Sequence, residues 1–145
     1  AARAPYAETR EAARARLGQR LGPETPGWIE AWVRAGLGLS LLREGDERST
    51  RLGIVQLLHV HVRLGDENPY LGGLALARAA EALSAAGEAA GAAALIEDLV
   101  ARYPGHPVLA ETRTGELVRR LLGRGRGSGA GASDGSGAAP REGSL

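Results

Sequence analysis

Three short segments of this chain share a pattern that divides it at long, similar intervals. Each begins with Arg and an apolar residue, continues through Gly, Pro or acidic residues, and ends with a Pro that opens an apolar stretch. The segments are residues 20–29, 63–71 and 102–109. Their final prolines, Pro26, Pro69 and Pro107, are 43 and 38 residues apart. A recurring interval of this size is typical of helical solenoids, in which each repeat is one helix pair.

Each of these loops contains residues that end one helix and start the next. Gly closes a helix in the left-handed conformation, and Pro fits the first helical position, where no amide proton is needed. Thr25 and Asn68 directly precede Pro26 and Pro69, where N-cap residues belong. The loops therefore predict helices on both sides.

Tighter breaks lie between the loops, at residues 43–46 and 85–88. There Gly45 and Gly87 are placed to end a helix, and an acidic residue opens the next one, where it complements the helix dipole. Together the breaks predict six helices, at residues 7–21, 27–43, 47–64, 69–85, 88–103 and 107–122.

The apolar residues within these segments follow helical spacing. One stripe in the second helix steps by three or four residues, and so does one in the fifth. The stripes are Trp28, Trp32, Ala35, Leu39 and Leu42, and Ala92, Leu95, Ile96, Leu99 and Tyr103. Residues 58–64 alternate apolar and polar, which is a strand pattern. We still expect a helix there, because the repeat requires one and no second convincing strand exists to pair with it.

The helices resemble degenerate tetratricopeptide repeats. The best match covers residues 73–104, and a weaker copy starting at residue 31 carries Leu37, Gly38, Leu41, Gly45, Ile54 and Leu57. The best match carries the family's residue types at Leu76, Ala79, Ala80, Leu83, Gly87, Ala92, Ile96, Leu99 and Pro104. The spacing departs from the family, because Gly45 and Gly87 are 42 residues apart whereas the family repeats about every 34.

The resemblance implies an all-α fold in which antiparallel helix pairs stack as a short solenoid of about six helices over residues 1–122. A longer type of helical hairpin array, or a plain bundle of helical hairpins, is the alternative. Residues 123–145 are rich in Gly and Ser, bury nothing that would offset the entropy of ordering, and are predicted to form a disordered tail.

Composition removes several function classes. The chain has no Cys and no Lys, which excludes thiol catalysis, Cys-ligated zinc and lysine chemistry. No HExxH or phosphate-loop pattern occurs, so neither an enzyme nor a cofactor is expected. His59 and His61 are two residues apart, which places them on nearly opposite faces of a helix, and a metal site is not expected.

Other features bear on the source and the compartment. The basic residues are all Arg, and with the excess of Ala and Gly this indicates a GC-rich coding bias, typical of a high-GC bacterium. No apolar run approaches the roughly 18 residues of a membrane span. The sequence starts without Met, so either a leader was removed or a longer chain precedes it, and the compartment stays open.

The resemblance also implies that the first helix of each pair lines a concave groove. The candidate partner-binding residues at groove positions are Trp32, Leu39, Leu42, Leu74, Glu81 and Ser84. The alternative is that Trp32 and Leu39 pack against the first helix as ordinary core residues. A short, Ala-rich array needs all the burial it can obtain, which favours that alternative.

The first hypothesis is therefore a non-catalytic protein-interaction or scaffold module, a subunit or assembly factor of a larger bacterial complex. Its expected neighbour is another protein, further repeats or a second copy. A second hypothesis is a nucleic-acid-associated protein acting through Arg119, Arg120, Arg124 and Arg126, although the net charge of only +1 argues against it. A third is a small helical ligand binder or enzyme with an internal cleft.

Overall fold

The part of the chain that the structure describes is built from α-helices. The computed structural model describes residues 6–125, and side chains within residues 8–123. No strand occurs among these residues, which confirms the predicted all-helical class for them. The helices are α1 Tyr6–Gly18, α2 Gly27–Leu42, α3 Glu47–Leu64, α4 Pro69–Ala85, α5 Ala89–Arg102 and α6 Thr112–Gly125, with a 3₁₀ turn at Pro107–Ala110.

The predicted bounds agree with the structure in the centre of the chain and differ at its ends. Residues 58–64 are helical as expected and form the last turns of α3. The sixth helix was predicted to start at Pro107, but extended backbone at Glu111 separates the 3₁₀ turn from α6. Gly123, predicted to start the tail, lies inside α6. The rest of the predicted tail, residues 126–145, lies outside the described residues.

The two tight breaks have the predicted chemistry. Gly45 and Gly87 have φ angles of 76° and 84°, in the left-handed region that a side chain would make costly. After the first of them, the Asp46 carboxylate caps α3 by accepting a hydrogen bond of 2.9 Å from the amide of Ser49. These short connections turn the chain back sharply, so that successive helices lie side by side.

The longer loops follow the prediction only in part. Asn68 caps α4, because its side-chain oxygen accepts from the amide of Leu71 at 3.1 Å. The predicted Thr25 cap is wrong, since Thr25 Oγ1 accepts from the amide of Gly22 and donates to the carbonyl of Arg20. Gly65 has a φ of −66°, in the right-handed region, so it does not serve as a left-handed helix cap. Glycine is needed there because another residue, described below, lies close to its backbone.

The pair α2 and α3 packs closely because glycines face each other. A Cβ atom on Gly38 would lie 2.8 Å from Cγ of Leu57 and 3.0 Å from the carbonyl oxygen of Gly53. A Cβ on Gly53 would in turn lie 3.0 Å from a methyl carbon of Leu42. Residues late in α2 therefore meet residues early in α3, which makes the pair antiparallel. The same holds for α4 and α5, where Gly91 lies against Leu83.

Helix α4 lies at the centre of the described residues and contributes to two core clusters. The first, between α2, α3 and α4, includes Ala31, Ala35, Leu57, Val60, Leu71 and Ala75. The second, between α4, α5, the 3₁₀ turn and α6, includes Leu76, Ala80, Ile96, Leu99, Val108 and Leu117. Besides its chain neighbours, α4 contacts α2 and α6, whereas α1 contacts only α2 among the described elements.

Candidate functional site

A cleft of about 760 Å³ lies between the C-terminal halves of α2 and α4. The first half of α3 and one residue of α6, Arg113, complete its walls. Three of the six predicted groove residues, Leu39, Leu42 and Glu81, line it, whereas Trp32, Leu74 and Ser84 do not. The structure therefore brings together half of the predicted site.

The wall on the α2 and α3 side is apolar. Leu39 and Leu42 of α2 pack against the first core cluster and remain partly accessible, and Ile54 of α3, a member of that cluster, is 8% exposed. A partly covered apolar surface of this kind gains free energy when an apolar side chain covers the remainder, about 25 cal/mol for each Å² buried. This wall suits an apolar group of a ligand.

The wall on the α4 side is polar, and most of its polar groups hold α6 in place. Arg78 pairs with Glu81 at 3.0 Å in the same helix and with Glu111 at 2.5 Å, just before α6. Glu81 also accepts a hydrogen bond of 2.8 Å from Thr114 of α6. Burial of Arg78 acts to lower its pKa, but its hydrogen bond to Glu111 and the charge of Glu81 outweigh burial and raise the pKa.

The charges around the cleft differ in whether they have partners. Glu47 is paired with Arg51 at 2.8 Å, one helical turn away. The side chains of Arg43 and Arg113 line the cleft and make no ion pair or hydrogen bond with any residue in the described range, and neither does the Glu88 carboxylate. Two guanidinium groups and one carboxylate are therefore available to a ligand.

Leu74 and Ser84, predicted as groove residues, have neighbours within the fold instead. Leu74 packs against both core clusters. Ser84 Oγ accepts a hydrogen bond of 2.7 Å from Arg120 of α6. The prediction placed an open groove along the whole of α4, but α6 covers its C-terminal half from one side, because α6 packs against α4 as a further helix.

Trp32 lies outside the cleft and is 55% exposed, and Trp28, one turn earlier, is 61% exposed. This exposure contradicts the alternative that Trp32 packs against the first helix as an ordinary core residue. The buried residues of α2 are Ala31, Val33, Ala35 and Gly38. Gly38 is where α2 packs closely against α3. Trp32 is not buried by α1, whereas Leu39 does pack against the core.

The three histidines have separate neighbours. His59 Nε2 lies 3.2 Å from Glu30 of α2, and His61 Nε2 lies 2.8 Å from Asp98 of α5. Among the described residues, no group of three or more His, Cys, Asp or Glu side chains could hold a metal ion. His61 connects α3 to α5, and Asp98 also pairs with Arg102 at 2.9 Å.

An aromatic cluster that the sequence analysis did not predict joins the second and third loops. It consists of His61, Tyr70, Tyr103 and His106. The Tyr103 ring meets His61 and His106 edge to face, with centroids 6.0 and 6.3 Å apart, and His106 stacks on Tyr70 at 5.3 Å. Burial raises the pKa of the Tyr103 hydroxyl.

Glycines make room for this cluster. A Cβ atom on Gly65 or Gly72 would lie 2.7 or 2.5 Å from the Tyr103 hydroxyl, and one on Gly73 would clash with the ring of His106. The Gly72-Gly73 pair near the start of α4, where a helix gains nothing from glycine, is the sequence signal that could have indicated a close neighbour.

Two of the four basic residues proposed for nucleic acid have described side chains, and both are exposed on α6. Arg120 is held by Ser84, and Arg119 is exposed nearby on α6. The side chain of Arg124 and all of Arg126 lie outside the described residues.

Comparison with known proteins found no match to a family model, to a curated protein or to a solved structure. In residues 6–125, none of the helices combines the length and apolar character needed to cross a membrane.

Proposed function

We propose that this chain is a non-catalytic protein-interaction module that works as a subunit or assembly factor of a larger complex. The observation that carries the proposal is the cleft between α2 and α4. It has one accessible apolar wall, one polar wall, and charged groups without partners at its edges. Such a combination suits a segment of another protein, with apolar contacts supplying affinity and polar ones supplying specificity.

The proposed architecture is a short solenoid similar to tetratricopeptide arrays. In such an array the first helices of successive pairs lie next to each other, and so do the second helices. This fits the contacts of α2 with α4 and of α4 with α6. The side chains of His61 on α3 and Asp98 on α5 also form an ion pair. The cleft is lined by the first helices α2 and α4, and also by the first half of α3 and by residues of both tight breaks.

Two further surfaces are consistent with a protein that works beside a neighbour. Large apolar side chains are exposed on α2 at Trp28 and Trp32, and on α3 at Leu52, Val55 and Val62. Exposed residues of this size are common at protein interfaces when they cluster. The one-sided packing of α1 leaves a second flank of the array uncovered.

Peptide selection tests the proposal directly. A phage-displayed peptide library would be selected against the full chain, and enriched peptides measured by fluorescence anisotropy. Ala85 lines the cleft and is exposed, so Ala85→Trp fills the cleft without changing the core. We expect this variant to weaken binding at least tenfold, about 1.4 kcal/mol.

The matched control is Ala94→Trp, on an exposed position of α5 that does not line the cleft. It should bind the peptides as the wild type does, and circular dichroism should show both variants folded. Failure to enrich any peptide, or equal binding by the two variants, would contradict a binding cleft at this place.

Self-association is tested separately. If a second copy covers the exposed flank, sedimentation equilibrium should give a mass above that of the monomer, and the melting temperature should rise with protein concentration. A monomer whose melting temperature is independent of concentration would remove the second copy as the expected neighbour.

A further inference from the structure

We infer that the cleft between α2 and α4 binds a peptide segment in which an acidic side chain stands next to an apolar one. This inference rests on the proposed function and deepens it by naming the chemistry of the partner. It follows from which charges at the cleft the fold already uses and which it does not.

The acidic groups of the cleft have explanations within the fold. Glu81 is occupied by Arg78 and Thr114, and Glu47 by Arg51. Glu88 has no partner among the described side chains, but it stands at the N-cap of α5, where the helix dipole favours a negative charge. None of these groups needs a basic ligand to account for its place.

The basic groups differ from one another. Arg43 directly follows α2, where the negative end of the helix dipole favours a cation, so its place is explained by the fold. Arg113 stands in the first turn of α6, where the positive end of the dipole disfavours a cation. It has no ion pair in the described part of the chain that would compensate. A carboxylate bound in the cleft would supply the compensation.

The apolar wall of the cleft indicates the second feature of the ligand, an apolar side chain next to the acidic one. Arg113 and Arg43 border the same cleft as Leu39, Leu42 and Ile54. A carboxylate that binds a guanidinium there can place a neighbouring Leu, Ile or Val side chain on the leucines. Arg binds carboxylates with two parallel hydrogen bonds, and excluding water with an apolar group strengthens the ion pair.

Two pools of synthetic peptides test the inference. Both consist of acetylated and amidated octapeptides, one with Leu-Glu at the centre and the other with Leu-Gln, and binding of the labelled full chain is measured on an array. We expect at least tenfold stronger retention on the Leu-Glu pool. The double variant Arg43→Gln/Arg113→Gln should lose this preference, because it removes the cations and leaves the apolar wall intact.

The matched control is Arg63→Gln, an exposed arginine of α3 outside the cleft, which should keep the preference. Arg43 and Arg113 are both exposed, so their variants should fold, and Arg113→Gln alone serves if the double variant melts lower. Equal retention on both pools, or a preference that survives the double variant, would overturn the inference.

The outcomes separate the inference from the proposed function. Equal binding of both pools that Ala85→Trp abolishes would leave a binding cleft without acidic specificity. Binding of neither these pools nor phage-selected peptides would remove both. Inorganic phosphate, titrated by calorimetry, is the remaining arm: if it binds as tightly as the best Leu-Glu peptide, the cleft takes a small anion and the peptide inference is wrong.

Discussion

The first and third loops are alike in sequence and differ in what surrounds them. In the third loop, Tyr103 and His106 reach back to the second loop and pack on glycines at the start of α4. The first loop closes on itself through Thr25, and Trp28 beside it is 61% exposed. The same pattern of Arg, Gly and Pro thus occurs at two junctions between helices. The last junction, at the third loop, is tightly packed against the second loop, whereas the first junction, at the first loop, leaves Trp28 exposed.

The residues that cause this difference stand at equivalent places in the pattern. Where the third loop has Tyr103 and His106, the first has Leu21 and Thr25, and the second has Leu64 and Asn68. Asn68 caps α4, and His106 likewise accepts a hydrogen bond of 3.0 Å from the amide of Val108. The His106 ring does more, since its Nε2 also lies 2.8 Å from the Tyr70 carbonyl oxygen. Among the described residues, the ring contacts all involve the second and third loops and the end of α3.

Removing the central ring should have the largest effect. Tyr103→Ala leaves a cavity beside Gly65 and Gly72 and breaks the contacts with both histidines. We expect a loss of about 2–3 kcal/mol in the free energy of unfolding, below the roughly 3–5 kcal/mol of a fully buried aromatic ring. Trp28→Ala should cost no more than about 0.5 kcal/mol, because the side chain is mostly exposed. Urea unfolding measures both, and similar losses would refute the contrast between the junctions.

Replacing a glycine with alanine at each junction should have the next largest effect on the free energy of unfolding. Gly73→Ala forces the His106 ring to move and weakens its bond to Tyr70. Overpacking costs roughly 1–3 kcal/mol, and the helix propensity of Ala returns part of it, so we expect a net loss of about 1–2 kcal/mol.

The matched variant at the first junction is Gly27→Ala. Its Cβ would meet only the carboxylate end of Glu67, an exposed side chain that can move aside. Thermal melting should show little change or a small gain. If Gly27→Ala were as costly as Gly73→Ala, the first junction would be as tightly packed as the last.

The contacts of Glu30 with Arg34 of α2 and His59 of α3 should contribute less to the free energy of unfolding. The hydrogen bond from Arg34 lowers the pKa of Glu30, burial opposes this, and the charges of Arg34 and His59 add to the lowering. A carboxyl whose pKa is lowered in the folded state stabilises it above the ordinary value of 4.5, and the contribution is lost as pH falls through the lowered pKa.

Glu30→Gln should therefore be less stable than the wild type at neutral pH, by under about 1 kcal/mol. The difference should narrow as pH falls below 4.5, in urea titrations at several pH values. Glu97→Gln, an exposed control on α5, should show no such pH dependence. A difference that grows in acid would contradict the assignment of Glu30.

The smallest difference is expected between the folded and the unfolded chain in the quenching of tryptophan fluorescence. Both tryptophans are on α2 and more than half exposed, so acrylamide should quench them in the folded chain nearly as well as in the unfolded one. Strong protection in the monomer would mean that the first junction is covered after all. Protection that appears only when peptide or a second copy binds would place that partner on Trp28 and Trp32.

The sequence was a good guide to where helices begin and end, because those signals are local. Gly45, Gly87, Asn68 and the acidic openings act through the backbone of their own turns, and the structure has them where predicted. The faces of the helices were harder to predict. Whether a large residue such as Trp32 is buried depends on how closely two helices approach, and that is set by Gly38 and Gly53 on different helices.

The candidate site shows the same difference between what the sequence indicates locally and what depends on contacts between distant residues. Leu39 and Leu42 were found because the resemblance places them at groove positions, and they do line the cleft. Ser84 was placed in the groove because nothing local to α4 shows that Arg120, 36 residues later, would bind it. Arg113 was missed because its importance depends on two separate facts, its place in the first turn of α6 and its lack of an ion pair among the described residues.

Amide hydrogen exchange of the full chain, with and without a peptide that binds it, tests the central claim most directly. A peptide in the cleft should slow exchange around residues 39–54 and 78–88 and leave the N-terminal half of α2 and the outer face of α5 unchanged. Slowing confined to the region of Trp28 and Trp32, or absent from both cleft walls, would contradict the account.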